Sequence, residues 1–105
     1  MIKPTSLEHL AELINTGKHV LFFTANWCGD CVFIKPHLPE IMATFPELSF
    51  VEIDRDAYLD VCIKMGVMGI PSFIITDKGQ ELGRFVSKER KTKTEIIEFI
   101  TPFYQ

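Results

Sequence analysis

Two cysteines separated by two residues are the strongest chemical feature of this sequence. Cys28 and Cys31 follow an apolar run that predicts a buried strand, and a long helix is predicted to begin at Cys28. A helix N-terminus presents unpaired N–H groups and the positive end of the helix dipole, so we expect it to stabilise a thiolate at Cys28. The thiolate is the nucleophilic form of cysteine. Cys31 would stand on the next helical turn, within reach of Cys28.

This arrangement predicts a dithiol–disulfide cycle. Cys28 would attack a substrate disulfide and form a mixed disulfide, and Cys31 would then attack Cys28 and release the reduced substrate. A second donor would reduce the resulting Cys28–Cys31 bridge. Trp27 would supply an apolar wall beside the exposed sulfur. The cycle needs no cofactor other than the redox-active cysteine pair.

Two other roles of a close cysteine pair stay open at this point. A tetrahedral zinc site needs four ligands, and the other candidate ligands form no second close pair: Cys62, His9, His19 and His37. A structural pair is the other alternative, although buried structural cysteines rarely sit at a strand-to-helix junction beside tryptophan and glycine. We therefore predict a redox site and no metal.

Length and composition predict one globular domain, residues 1–105. The apolar share is 47%, and the net charge of −3 offers no basic field for nucleic acid. No apolar run approaches the roughly 20 residues that span a bilayer. The start of the chain lacks the apolar segment of a signal peptide, so we expect a cytoplasmic protein. In a reducing cytosol three cysteines are not expected to form a structural disulfide framework, and an oxidase or isomerase is disfavoured.

The apolar periodicity predicts a mixed α/β fold. The order is helix, strand, helix, strand, helix, strand, strand, helix, and we expect four strands flanked by four helices. The first two strands are joined by a helical crossover, so they should be parallel, and the last two should form an antiparallel hairpin. The helices are predicted at 5–16, 28–45, 57–65 and 94–104, and the strands at 19–24, 49–54, 72–76 and 81–86.

Local signals mark several ends and bends. Thr5 and Glu8 have the spacing of a capping box for the first helix. Pro36 and Pro39 each remove a backbone donor and should bend the second helix. Asp54 and Asp56 are predicted as N-caps of the third helix. The basic residues before the last helix are predicted to form a solvated face, which could also dock a reductase: Lys88, Arg90, Lys91 and Lys93.

Taken together, these motifs resemble the thioredoxin family over nearly the whole chain. The segment 27–31, WCGDC, matches the family's WCGPC motif at four of five positions. Pro36 stands where the family carries its helix-kinking proline, and Asp54 matches the acidic end of the family's next strand. Residues 66–72, GVMGIPS, match its G-[IV]-x-[GS]-[IVY]-P-[ST] loop. The motifs occur in the family's order and spacing.

The resemblance implies the thioredoxin fold and a protein-disulfide reductase. It implies a cis peptide at Ile70–Pro71 that faces the two sulfurs, with the backbone before the proline pairing with an extended substrate. We expect a monomer that acts on disulfide-containing proteins and is recycled by a flavoprotein reductase or a low-molecular-weight thiol. The alternative is a redox-switched binding module with little general reductase activity. The residues expected to bind substrate are Trp27, Gly29, Asp30, Met68, Ile70 and Pro71.

Two departures from the family pattern lie close to the cysteines. Asp30 replaces the proline between them, and its carboxylate should disfavour the Cys28 thiolate. The same aspartate also suits the first turn of a helix, and the two interpretations carry equal weight. Ser87 stands where the family has a glycine lining the substrate groove. The N-terminus is too short for the family's first strand.

A further departure concerns the residues expected to lie beneath the cysteines. Phe22 and Phe50 occupy the positions of a buried aspartate and its lysine partner in many thioredoxins. The usual route for deprotonating Cys31 is then missing, and we expect solvent, Asp30 or Glu52 to serve instead. Cys62 is predicted to be a buried apolar residue, with a regulatory thiol as the alternative.

Overall fold

A four-stranded mixed sheet forms the centre of the computed structural model, which describes residues 1–104. The strand order is β2-β1-β3-β4; β1 and β2 are parallel, whereas β1–β3 and β3–β4 are antiparallel. The predicted parallel pair and C-terminal hairpin are both confirmed. The strands are β1 Lys18–Thr24, β2 Ser49–Asp54, β3 Ser72–Asp77 and β4 Gln80–Phe85.

Four helical units flank the sheet, as predicted. The long second helix is divided, because Pro36 and Pro39 cannot donate the backbone hydrogen bonds of a regular helix. A 3₁₀ turn over Lys35–His37 joins its two halves, and a second 3₁₀ turn, Thr101–Phe103, follows the last helix. The helices are α1 Leu7–Asn15, α2 Gly29–Ile34, α3 Leu38–Thr44, α4 Leu59–Lys64 and α5 Lys93–Ile100. No helix among residues 1–104 is long and apolar enough to cross a bilayer.

Strand β1 anchors both hydrophobic layers of the domain. Its side chains are buried from position 19 to 24, and they alternate between the two faces of the sheet. Phe22 packs with the apolar residues of α3 and α5, whereas Phe23 packs with those of α1 and α4. Burying one such side chain contributes about 1.5–3 kcal/mol, so the end of β1 is held firmly where the cysteine segment begins.

The N-terminal segment contributes one residue to the sheet edge. Ile2 forms an isolated parallel bridge with Val51, through its N–H to the Phe50 carbonyl and its carbonyl to the Glu52 N–H, both at 2.8 Å. Before α1, the described residues contain this bridge and no full strand. The bridge covers part of the outer edge of β2, which would otherwise expose unpaired backbone groups.

The predicted capping box at Thr5 and Glu8 is wrong by one residue. Helix α1 begins at Leu7, and the Ser6 hydroxyl accepts the His9 N–H at 3.0 Å. Thr5 instead donates its own N–H to Nδ1 of His9. Ser6 takes the cap because it is the last residue with extended backbone before the helix.

Replacing Ser6 with alanine should lower the free energy of unfolding by about 1 kcal/mol, because the His9 N–H loses its acceptor. The matched change Thr5→Ala should cost less, since the Thr5 hydroxyl caps no helix N–H. Urea unfolding of both variants, followed by circular dichroism, measures the difference. A larger loss in Thr5→Ala would contradict the assignment of the cap to Ser6.

Candidate active site

Cys28 is the N-cap residue of α2. Its backbone is extended, and its sulfur accepts the N–H of Cys31 at 3.2 Å. Cys28 keeps 8% of its surface exposed, whereas Cys31 has none. Cys28 is therefore the less buried of the two cysteines, and Cys31 is completely enclosed. The hydrogen bond between them confirms that the two residues lie within reach of each other, as the spacing predicts.

The loop before β3 closes over the same sulfur. The Ile70–Pro71 peptide is cis, as the resemblance implies. The Cys28 thiol donates to the Ile70 carbonyl at 3.8 Å, and Ile70 packs against the cluster formed by Ala25, Cys28 and Cys31. The cysteine segment and the cis-proline loop, 42 residues apart in sequence, therefore meet at one place.

The two thiols have different environments. Burial first, and a hydrogen bond with Cys28 second, raise the pKa of Cys31, which reaches about 11 although the Thr24 hydroxyl and the Ala25 backbone act in the opposite direction. Cys31 is consequently a protonated thiol at neutral pH in the reduced protein. It can act as a nucleophile only if something favours its ionisation during the reaction.

Exposed apolar side chains lie in the two segments that meet at Cys28. Trp27 and Met68 expose 64% and 73% of their surfaces, on opposite sides of Cys28 in the chain. Gly29 lies open, since a side chain there would meet nothing within 4 Å. The cysteine segment, with Trp27, Gly29 and Asp30, and the cis-proline loop, with Met68, Ile70 and Pro71, meet through the contact of Cys28 with Ile70. That these six residues bind substrate stays a prediction.

Asp56 orients Trp27, a role that the sequence analysis missed. The indole N–H donates to the Asp56 carboxylate at 2.8 Å, and the Arg55 guanidinium lies 5.8 Å from the indole ring centroid. The prediction that Asp54 and Asp56 are helix N-caps is wrong, because Tyr58 occupies the N-cap position of α4. Asp54 instead accepts the Asp56 N–H at 2.9 Å and so fixes the turn that presents Asp56.

Arg90 pairs with the aspartate between the cysteines. Its Nε donates to the Asp30 carboxylate at 2.9 Å, and its guanidinium lies 4.1 Å from the ring centroid of Phe33. The guanidinium offsets the carboxylate charge that Asp30 brings next to Cys28. The sequence analysis had assigned Arg90 to a solvated basic face. The contact spans 60 residues of sequence, so no local pattern could have revealed it.

The segment before Arg90 packs against the cis-proline loop. A side chain at Gly69 would place its Cβ 2.5 Å from the Ser87 carbonyl carbon, so only glycine allows this close approach. Ser87 therefore lies beside the groove, at the position where the family has glycine. Segment 87–91 contacts both sides of the cysteine pair: Asp30 on one side and Gly69 on the other.

The two phenylalanines beneath the site are fully packed. Phe22 stacks on Phe73 with ring centroids 5.0 Å apart, and Phe50 lies in the same apolar cluster. Of the carboxylates expected to deprotonate Cys31, Glu52 faces Lys3 and Lys35 at 4.0 and 3.9 Å. Asp30 is paired with Arg90. Within residues 1–104, no hydrogen bond joins either carboxylate to Cys31.

Cys62 belongs to the core, as predicted. It is 1% exposed in the cluster between the sheet and α4, and burial raises the pKa of its thiol.

In the described part of the chain, no three or more His, Cys, Asp or Glu side chains come together in a group that could hold a metal ion.

Iodoacetamide at pH 8 should alkylate Cys28 well before Cys31 or Cys62. Cys31 is inaccessible with a pKa near 11, and Cys62 is buried with a raised pKa, whereas Cys28 retains surface exposure. Timed labelling followed by peptide mass spectrometry gives the order. Early labelling of Cys62 in the folded protein would instead support its role as a regulatory thiol.

Replacing Arg90 with methionine should make the cysteine pair more reducing. The unpaired Asp30 carboxylate would then destabilise the Cys28 thiolate, so the disulfide form is favoured. Only the part of this charge effect that differs between the thiolate and the disulfide changes the potential. For partly exposed charges that part is at most about 1 kcal/mol, so the potential should fall by no more than about 20 mV. Equilibration against a dithiol buffer measures this shift.

The double variant Asp30→Asn/Arg90→Met is the matched control for that measurement. It removes both charges, and its potential should return close to that of the unmodified protein. A potential that falls equally in the single and double variants would show that Arg90 acts without Asp30.

Comparison with known proteins places the chain in a family. The family model Thioredoxin matches residues 2–102. The H-type thioredoxin of Fagopyrum esculentum is 39% identical over 84 residues, covering 79% of this chain and 72% of that protein. The thioredoxin of Chlamydia muridarum is 30% identical over 96% of this chain and 97% of its own length. Mitochondrial thioredoxin-2 of Schizosaccharomyces pombe is 35% identical over 74% of this chain, which spans only 59% of that longer protein.

Solved structures agree with this assignment. The thioredoxin of Fasciola hepatica superposes with a TM-score of 0.84 at 30% identity and covers all of both chains. A chain from a study of thiol resolution in yeast mitochondrial 1-Cys peroxiredoxin via the glutathione/thioredoxin systems gives a TM-score of 0.83 at 28% identity, covering 97% of this chain and 94% of that one. The chain therefore belongs to the thioredoxin family, and with it to the protein-disulfide reductases.

Proposed function

We propose that this protein reduces disulfides in other proteins through a cycle of Cys28 and Cys31. Cys28 is the attacking residue in this proposal, because it is the less buried of the two cysteines and its sulfur receives the Cys31 N–H at the start of α2. That hydrogen bond is the observation that carries the proposal. A thiolate at this position gains a charge-assisted hydrogen bond as soon as it forms.

Cys31 is the resolving residue in this proposal. It is fully buried, so a substrate disulfide cannot reach it, but it lies next to Cys28 on the first turn of α2. Its attack on the mixed disulfide is intramolecular and therefore fast relative to attack by a second protein. The sulfur pair is the whole redox apparatus, and no further cofactor or metal is required.

The substrate is proposed to be an extended, partly apolar segment that carries a disulfide. Trp27 in the cysteine segment and Met68 in the cis-proline loop offer exposed apolar surface, and the Ile70 carbonyl accepts from the Cys28 thiol. A strand-like segment passing the cis-proline could pair with the backbone there, with its cystine over Cys28. The apolar surface of Trp27 and Met68 would bind the substrate, and pairing through the backbone would let substrates of different sequence bind.

The electron donor is proposed to be a flavoprotein reductase or a low-molecular-weight thiol. The yeast relative, whose study concerns glutathione/thioredoxin systems, makes glutathione the first donor to test. A reducing compartment, the cytoplasm in the first instance, suits a chain whose third cysteine is buried without a disulfide partner in the described residues. A monomer is supported by the polar, largely exposed strand β4 at one sheet edge and the Ile2 bridge at the other.

A redox-switched binding module is the second candidate function. The exposed Trp27 and Met68 would also suit a partner that binds without being reduced. The two functions differ in whether the dithiol form turns over a generic disulfide.

Insulin reduction with dithiothreitol as donor separates them. The unmodified protein should accelerate precipitation of the insulin chains, and Cys28→Ser should lose that activity to the background rate because the attacking sulfur is gone. Pre-reduced Cys31→Ser, mixed with insulin after dithiothreitol has been removed, should instead accumulate a mixed disulfide with insulin, visible on a non-reducing gel. Absence of turnover in the unmodified protein, with retained partner binding in Cys28→Ser, would favour the binding module.

Cys62→Ala is the matched control, since it removes a cysteine that lies outside the site. It should reduce insulin at the unmodified rate. A loss of turnover in Cys62→Ala at unchanged stability would contradict the two-cysteine cycle.

A further inference from the structure

Lys91 is buried, although the run of basic residues before α5 predicted a solvated face. Only 1% of its surface is exposed, whereas Lys88 and Arg90 lie on the surface, so the prediction is wrong at Lys91. The Lys91 Nζ donates to the Ser87 carbonyl at 3.1 Å, the Ser87 hydroxyl at 3.1 Å and the Glu89 carbonyl at 2.8 Å. These three acceptors match the three donors of an ammonium group.

The segment 87–91 has no backbone scaffold of its own. Among residues 1–104, none of its N–H or carbonyl groups takes part in a backbone–backbone hydrogen bond. Side chains hold it instead: the Lys91 ammonium satisfies two of its carbonyls, and the Ser87 hydroxyl also accepts the Glu89 N–H at 3.2 Å. Surface segments usually satisfy their backbone groups through turns or water. Here one buried side chain does much of that work for the whole segment.

A buried ammonium is an unfavourable way to fill space. Desolvation of a charge is costly, and within residues 1–104 no carboxylate forms an ion pair with Lys91. The ring of Phe85, 5.2 Å from the Nζ, and the three hydrogen bonds offset that cost. A leucine or methionine would bury no charge, but it would leave the two carbonyls without a donor. The ammonium therefore provides a fixed course for the backbone of segment 87–91.

That backbone course runs directly against the cis-proline loop. A Cβ at Gly69 would lie 2.5 Å from the Ser87 carbonyl carbon and 2.6 Å from its oxygen, so the two backbones touch with no side chain between them. The Ser87 carbonyl that meets Gly69 is the same carbonyl that accepts from Lys91. Gly69 directly precedes Ile70, whose own carbonyl accepts from the Cys28 thiol.

The other end of the segment reaches the first turns of α2. The Arg90 Nε donates to the Asp30 carboxylate at 2.9 Å, and the Arg90 guanidinium lies over the ring of Phe33. Segment 87–91 therefore contacts both stretches of chain that meet at Cys28. A change in its course would alter the surface on which a substrate is proposed to bind.

We propose that Lys91 is a positioning residue for substrate binding, which holds segment 87–91 against Gly69 and so keeps the groove beside the cis-proline loop formed before substrate arrives. The inference rests on the proposed function, because it presupposes that a disulfide-bearing segment binds beside Ile70. The role requires no contact of Lys91 with substrate and adds no chemical step.

The proposal has a definite consequence for substrates of different size. Without the ammonium, the Ser87 and Glu89 carbonyls would have to turn toward water to find other donors, and the segment would lose its fixed course. An extended protein substrate would then bear the additional cost of ordering the segment when it binds. A disulfide too small to extend along the groove would not bear that cost.

Single-turnover reactions with two disulfides test the proposal. Reduced protein, freed of its donor, is mixed with increasing concentrations of insulin or of bis(2-hydroxyethyl) disulfide. Acid quenching, alkylation and mass spectrometry then follow the oxidation of the cysteine pair. In Lys91→Met, the half-saturating concentration of insulin should rise about fivefold, whereas the limiting rate should stay within about twofold of the unmodified value. The rate with the small disulfide should also stay within about twofold.

Lys18→Met is the matched control, because it also removes an ammonium that holds a backbone carbonyl. The Lys18 Nζ donates to the Phe103 carbonyl at 3.0 Å, at the end of β1 away from the cysteines. This variant should keep the unmodified half-saturating concentration, even where urea unfolding shows a loss of stability as large as that of Lys91→Met. Equal half-saturating concentrations in the two variants would overturn the proposal. Equal slowing of Lys91→Met with both disulfides would also overturn it, since the damage would then lie at the cysteines.

Ser87→Ala covers the case in which Lys91→Met does not fold. It leaves the ammonium and its two carbonyls in place but removes the hydroxyl that accepts from Lys91 and Glu89, so the half-saturating concentration of insulin should rise about twofold. An unchanged value in Ser87→Ala would refute the proposal. Failure of the unmodified protein to oxidise its cysteine pair with either disulfide would instead refute the proposed cycle, so the two failures are distinguishable.

Discussion

The hydrogen bond from the Cys31 amide to the Cys28 sulfur is the interaction on which the site depends. It satisfies a backbone donor that the start of any helix leaves unpaired, and it does so with a sulfur instead of the usual hydroxyl or carboxylate. The same bond fixes how the two residues are oriented. With Cys28 as the cap, Cys31 falls on the inner side of the first turn, so Cys28 keeps slight surface exposure and Cys31 has none.

This asymmetry is supported from several directions in the fold. Strand β1 carries the chain into the site from the most buried part of the sheet, and the cis-proline loop closes over the sulfur from β3. Segment 87–91 then joins the two, through Arg90 on Asp30 and Ser87 against Gly69. The chemistry of two cysteines is therefore positioned by three separate stretches of sequence.

The features that could be predicted from the sequence are those that depend on residues close together in the chain. The alternation and runs of apolar residues predicted the sheet, and the spacing of Cys28 and Cys31 predicted the thiol pair, whereas the cis peptide before Pro71 was implied by the family resemblance. Local patterns failed where a competing partner lies far away. Asp56 is of a residue type that often caps helices, but its carboxylate accepts instead from the Trp27 indole, 29 residues away in the sequence. At Ser6 the failure was smaller, because two adjacent hydroxyl residues can both cap a helix and only the backbone decides between them.

Lys91 shows a different limit of sequence reasoning. It stands in a run of charged residues, and the usual inference from such a run is exposure to solvent. Its burial depends on two carbonyls and one hydroxyl that the backbone of segment 87–89 happens to direct inward. Every residue has a backbone carbonyl, so no pattern of side chains can predict that two carbonyls will converge on the Lys91 ammonium.

The location of Cys62 has a consequence for which disulfides the folded protein can form. Three cysteines allow three pairings, but Cys62 packs with α1 and α4 on one face of the sheet, in a cluster separate from that of Cys28 and Cys31. Strand β1 and its neighbours form a continuous wall between α4 and the opposite layer. Cys62 is 1% exposed, so a bridge to it would require its packing to open, and such a bridge would be the signature of a molecule that had lost its native structure.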